Sequence, residues 1–148
     1  MTIVREVIPI SILESSGVRE FLNPAGLVVV PALSNVVKVG QFVFISAQVS
    51  NTPQQGIVAK GDPEGQVRQI WSNLAIAMEA AGGTIRDIVA TWTCITNVEH
   101  MPFVSKVREE LFPTNPPTSS RPLVVNQLTT TPDMLVSISA FAILRTAP

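Results

Sequence analysis

The stretch Asp62-Pro-Glu-Gly-Gln-Val-Arg-Gln-Ile-Trp-Ser-Asn-Leu-Ala-Ile-Ala-Met-Glu-Ala-Ala-Gly-Gly83 reads as a helix with both of its ends written into it. Asp62 supplies an N-cap side chain, and Pro63 sits at the first helical position, where a missing N–H costs nothing. Val67, Ile70, Trp71, Leu74, Ala77, Met78 and Ala81 recur at three- and four-residue intervals and make one broad apolar stripe. Gly82-Gly83 tolerate the positive φ that closes a helix. So wide a stripe is core, not a cofactor-binding surface, and the flanking segments say what it packs against.

Upstream, Asn35-Val-Val-Lys-Val-Gly40 and Gln41-Phe-Val-Phe-Ile-Ser-Ala-Gln48 read as two strands turning at Gly40, rich in β-branched and aromatic residues. Alternation puts Phe42, Phe44, Ser46 and Gln48 on one face, with Val43, Ile45, Ala47 and Val49 on the other. Leu27–Val30 predicts a further strand stopped by Pro31. Residues 1–24 read as an N-terminal extension packed on the body or on a neighbour, and residues 25–148 as a single domain. The polar stretch 51–60 is a loop.

Downstream come a strand over Ile88–Thr96, a helix over Pro102–Phe112, a strand over Leu123–Leu128, a turn at Thr129–Asp133 and a long strand over Met134–Leu144. In the last strand Val136, Ile138, Ala140, Ala142 and Leu144 form an unbroken apolar set, which is expected to face the helices. The intervening Leu135, Ser137, Ser139, Phe141 and Ile143 face a cavity or another subunit. Two strands, a helix, a strand, a helix and two strands make an α+β sandwich: one mixed β-sheet with two helices on one face.

Composition narrows the function classes. The 148 residues are 46% hydrophobic and only 14% charged, with mean hydropathy +0.36. No apolar run approaches the ~20 residues of a membrane span, so the surplus is assigned to subunit interfaces and no membrane partner is expected. A net charge of −1 without a basic run gives nucleic acid nothing to bind. One cysteine excludes an intrachain disulfide, and no secretory signal pattern opens the chain, so a cytoplasmic setting is expected. Cys94, mid-strand, reads as a buried inert thiol. His100, the one histidine, reads as a surface loop residue beside Glu99. No metal-ligand spacing exists, and neither metal nor cofactor is expected.

Between the second helix and the strand after it runs Phe112-Pro-Thr-Asn-Pro-Pro-Thr-Ser-Ser-Arg121. Pro113, Pro116 and Pro117 fix three φ angles and remove three donors, so the segment is a stiff approach that delivers Arg121 to a loop–strand junction. On composition alone Arg121 is a solvated surface arginine.

Taken in series, these segments resemble the RidA/YjgF/UK114 family. The resemblance is carried by Leu33–Gly40 with Phe44–Gln48, by Gly65–Leu74 and Glu79–Gly83, by Asp87–Val89, by Pro116-Pro117 through Arg121, and by Val136–Ala140. It covers roughly residues 30–146. It implies the chorismate-mutase-like sandwich of that family and a homotrimer around a barrel-like centre, with clefts between subunits. It also implies hydrolysis of reactive imine or enamine intermediates, or of 2-aminomuconate-type compounds, to a ketoacid and ammonia without a cofactor. On the same basis Arg121 anchors the substrate carboxylate, a role suited to a planar bidentate donor. Counting back from Leu128 without a gap puts the arginine position on Ser120 instead. Ser46 and Gln48 occupy the family's Ser-Gly-Gln element. Leu33 stands at the family's tyrosine position, Ser105 at its asparagine and Ser137 at its water-activating glutamate.

These replacements make the expected cleft more apolar and roomier. Two readings stay open: an imine or enamine deaminase with Ser46 and Ser137 at the reacting centre, and a non-catalytic trimer binding a small carboxylate or a partner protein.

Overall fold

A computed structural model describes residues 18–129 and 131–145. In chain order the elements are β1 (Arg19–Leu22), β2 (Val36–Val39), β3 (Phe42–Val49), β4 (Asn51–Thr52), β5 (Gly56–Ile57), α1 (Pro63–Ala80), β6 (Ile88–Ile95), α2 (Met101–Leu111), β7 (Thr118–Ser119), β8 (Leu123–Val124) and β9 (Val136–Ile143). Helix α1 is capped as its sequence dictates. The Asp62 carboxylate accepts the Gly65 N–H at 3.0 Å, and Gly82 closes the far end at φ 88°.

The sheet runs β1-β2-β3-β9-β6, antiparallel throughout, and β7 and β8 both join the free edge of β6 in parallel. β2 and β3 turn at Gly40, whose φ of 59° suits a residue without a Cβ. Helix α1 packs across β3 and β9, and α2 packs beside α1. The core lies between these layers. Val67, Ile70, Leu74 and Met78 of α1 and Val107 of α2 meet Val43 and Ile45 of β3 and Ile138, Ala140 and Ala142 of β9. The alternation read for the last strand therefore holds, and the fold is the α+β sandwich the sequence predicts.

Several local expectations change. Leu27–Val30 is irregular, not a strand, because Arg19–Leu22 has taken the edge of β2 and left it no partner. A turn bonds Leu27 N–H to Pro24 O at 3.0 Å, and only Leu27 of the run is buried. The sheet thus takes in residues 19–22 of the expected extension, whose residues 1–17 lie outside the described residues. The strand expected over 123–128 is paired only at Leu123–Val124, since Asn126 and Gln127 turn to solvent.

Cys94 is half-buried on the sheet face away from the helices, opposite Ser137 of β9. His100 is also half-buried, in a short 3-10 turn leading into α2, with Nδ1 shielded from solvent and without a hydrogen bond among the described residues.

The outer face of the sheet is apolar and open. Phe42 and Phe44 flank Phe141 at centroid distances of 6.1 and 5.0 Å, and Trp92 stands beside them half exposed.

Candidate functional site

The site begins at a defect in pairing. Ile45 of β3 pairs with Ala140 and Gln48 with Ile138, so Ser46 and Ala47 together face the single residue Ser139. This β-bulge changes the expected side-chain alternation. Gln48 moves to the buried side, while Ser46 stays half-buried and Ala47 points outward. Ser46 and Gln48 meet all the same, because Gln48 Nε2 donates to Ser46 Oγ at 3.1 Å and to Ser46 O at 3.2 Å.

Two asparagines hold this pair. Gln48 Nε2 lies 3.4 Å from Asn35 Oδ1, Asn35 Nδ2 donates to Val28 O at 3.1 Å, and Asn35 N–H donates to Asn23 Oδ1 at 2.8 Å. Because Ser46 Oγ accepts from Gln48, its own proton is free to be donated elsewhere. The chain of amides thus makes Ser46 a donor toward whatever occupies the space beside it.

That space is a cavity of about 610 Å³. The sheet supplies Ser46, Gln48 and Ser137. The segment before β2 supplies Val28, Val30, Leu33 and Asn35, and the β8–β9 connection supplies Leu128, Thr129 and Met134. Ala32, next to Leu33, has φ 63°, and Thr129 has φ 52°, so the backbone is left-handed at both rims. For a β-branched threonine this is a strained conformation, costing about 1–2 kcal/mol.

Helix α1 braces the β8–β9 rim and the end of β3 with amides that sequence reasoning passed over. Gln66 is fully buried: Nε2 donates to Asp133 O at 2.7 Å and Ala59 O at 3.3 Å, and Oε1 accepts Leu135 N–H at 2.9 Å. Asn73 Nδ2 donates to Val49 O and Asn51 O, both at 3.0 Å. Both residues lie at helical spacing on the flank of the apolar stripe, and an amide on a buried face was the signal available.

Leu33, Ser46, Gln48 and Ser137 therefore come together in the cavity, whereas Ser105, Ser120 and Arg121 stand outside it. Ser105 is half-buried on α2. Ser120 is bonded through its N–H to Thr91 O at 3.1 Å. Arg121 is exposed between β7 and β8, on the opposite side of the sheet from β1, and joins none of the ion pairs among the described residues.

The proline-rich approach to Arg121 is held by a side chain as well as by its prolines. Arg108 of α2 donates to Pro117 O and, at 3.4 Å, to Thr91 Oγ1. Burial pushes the Arg108 guanidinium below its usual basicity.

Among the described residues, none that lines the cavity is charged or titratable. Among the described residues no group of three His, Cys, Asp or Glu side chains is placed to hold a metal ion, and no helix is long and apolar enough to cross a membrane. The described residues of one chain thus offer hydroxyls, amides and apolar walls, but neither a general base nor a counter-charge.

A seven-stranded mixed sheet backed by two helices, with a cleft at a bulge in its third strand, defines an α+β sandwich. The chain belongs to the family described as Endoribonuclease L-PSP, whose sequence model matches residues 26–144. It is 29% identical over 110 residues to a RutC family protein of Pyrococcus horikoshii, covering 74% of this chain and 84% of that one. It is 33% identical over 94 residues to a RutC family protein of Aquifex aeolicus, covering 64% and 74% respectively.

Among solved structures, the yjgF gene product of E. coli superposes with a TM-score of 0.75 at 25% identity, over 84% of this chain and 98% of that one. The Rid family protein YyfA of Yersinia pestis gives 0.77 at 23%, over 86% and 100%. The RidA/YjgF resemblance is thereby borne out. Asn23, which anchors Asn35, precedes the matched region.

Proposed function

We propose that this chain is a cytoplasmic, cofactor-free hydrolytic deaminase of reactive imine or enamine intermediates that carry a carboxylate. It works as a homotrimer with its clefts between subunits. The observation that carries this reading is a separation of chemistry within one chain. Ser46, Gln48 and Ser137 converge in a cavity whose described lining carries no charge, while Arg121 stands exposed beyond β6 with no carboxylate partner among the described residues. A neighbouring copy supplying Arg121 completes the site. The open aromatic face around Phe44, Phe141 and Trp92 supplies apolar area for that association.

In such a cleft the arginine binds the carboxylate as a two-pronged donor. Water adds to the iminium carbon, forming a C–O bond. A proton passes from that oxygen to nitrogen, the C–N bond breaks with its electron pair leaving on ammonia, and the hydroxyl gives its remaining proton to solvent as the ketone forms. A protonated imine is already an electrophile, so orientation can supply much of the acceleration without a carboxylate at position 137. Ser46 donates to the substrate, and Ser137 holds the water.

A second reading, a trimer that binds a small carboxylate or a partner without turnover, is favoured by the absence of any titratable side chain in the cavity lining. A ribonuclease reading gains nothing from a net charge of −1 or from His100, which lies outside the cavity. Ammonia release from imines generated in situ separates the first two readings. The deaminase reading requires release above buffer that collapses in Arg121→Ala. Release equal to buffer in both proteins, with oxo acids still bound, leaves the binding reading.

A further inference from the structure

We infer that the cleft takes 2-imino and 2-oxo acids with a large apolar side chain, branched aliphatic or aromatic, in preference to those of three or four carbons. This rests on the reading that the cleft holds a carboxylate-bearing imine. The walls are divided by origin. The sheet contributes the hydrogen-bonding floor of Ser46, Gln48 and Ser137, and the two flanking connections contribute Val28, Val30, Leu33, Leu128 and Met134.

A head group bonded to the floor leaves its side chain among these five apolar residues. Val30 and Leu33 are 49% and 62% exposed in the single chain, so burying them against a ligand removes apolar surface from water. At about 610 Å³ the cavity is within the roughly 300–1,000 Å³ range of sites that enclose drug-sized ligands, and a three-carbon acid leaves most of it to water. Nothing charged lines it to hold a polar side chain in place.

Isothermal titration of the assembled protein with pyruvate, 2-oxobutanoate, 4-methyl-2-oxopentanoate and phenylpyruvate tests the inference. Each added methylene seated in an apolar pocket is worth about tenfold or more, so the two larger acids are expected to bind at least tenfold tighter than pyruvate. Leu33→Gln, at a side chain too exposed to be needed for folding, should remove most of that advantage, bringing the affinity for phenylpyruvate toward that for pyruvate.

Equal or tighter binding of the small acids overturns the inference while the deaminase reading stands. So does a Leu33→Gln protein that keeps both its oligomeric state in sedimentation and the wild-type ligand preference, because Leu33 then forms no part of the apolar wall. If no oxo acid binds, or if binding is indifferent to Arg121→Ala, the reading of the site itself falls and the inference falls with it.

Discussion

Toward the helices the sheet buries Val43, Ile45, Ile138, Ala140 and Ala142, and the amides that reach this side, Gln66 and Asn73, have partners within the chain. On the other face Phe44 and Trp92 are each 51% exposed, and along the far edge Arg121 points into solvent. One side is finished by its own chain and the other is left incomplete. Completion of the second side by another copy is the proposal, and each prediction below presses on one side of this contrast.

The largest effect is expected at the incomplete side. Removing one partner of a desolvated charge pair costs about 2–5 kcal/mol, so Arg121→Ala should weaken oxo-acid binding by a factor of roughly thirty to several thousand. An exposed, unpaired arginine contributes within about 0.5 kcal/mol to folding, so the denaturation midpoint should not move. Titration calorimetry and urea denaturation of the same variant give both numbers. A variant that unfolds early yet binds normally breaks the contrast.

Gln66→Ala attacks the finished side in the opposite sense. It strands the Asp133 carbonyl and the Leu135 N–H in the interior, each at about 1–3 kcal/mol, so a loss near 3 kcal/mol is expected. Urea denaturation at one protein concentration reads it. Asn73→Ala removes two shorter-range bonds of the same kind, at Val49 O and Asn51 O, and a smaller loss should follow.

Trp92→Glu returns to the open face. An aromatic at the centre of an interface is worth about 2 kcal/mol or more, so the change should shift sedimentation toward a single chain with little effect on its folding. Persistence of the wild-type oligomer would place the interface elsewhere.

The side facing the helices was also the more legible in the sequence. The α1 stripe and the Val136–Ala142 alternation are periodic patterns, and burial against one another is the only use such patterns have. What escaped reading depends on contacts distant in sequence. Leu27–Val30 has strand composition, but pairing is decided by which segment occupies the edge of β2, and Arg19–Leu22 does.

The bulge at Ser46-Ala47 is a register shift against β9, about ninety residues later, with no glycine to mark it. Leu33 and Ser137 were legible as site residues only through the family resemblance, whereas strand alternation already set the polar Ser46 and Gln48 side by side. Asn35 and Asn23 act through other side chains, and Gln66 spans to residues 133 and 135, so neither periodicity nor motif discloses them.

The smallest effect tests whether the helix layer closes without outside help on its solvent side too. Glu64 of α1 accepts from Arg68 at 2.7 Å and from Lys106 of α2 at 2.9 Å, and Arg68 reaches Glu110 at 2.9 Å. The hydrogen bond from Arg68, and then that from Lys106, holds the Glu64 carboxyl below its usual range, and Arg68 does the same for Glu110. A carboxyl whose folded pKa is depressed binds its proton more readily in the unfolded chain. Its contribution is therefore full above the ordinary glutamate range and is lost as pH falls through the lowered folded value. The stability gap between wild type and Glu64→Gln should be small at pH 7, close on acidification, and shrink in high salt because the network faces solvent. A gap that widens toward acid, measured by urea denaturation across that range, would mean that Glu64 is not held by these two cations and that the helix pair relies on something beyond its own chain.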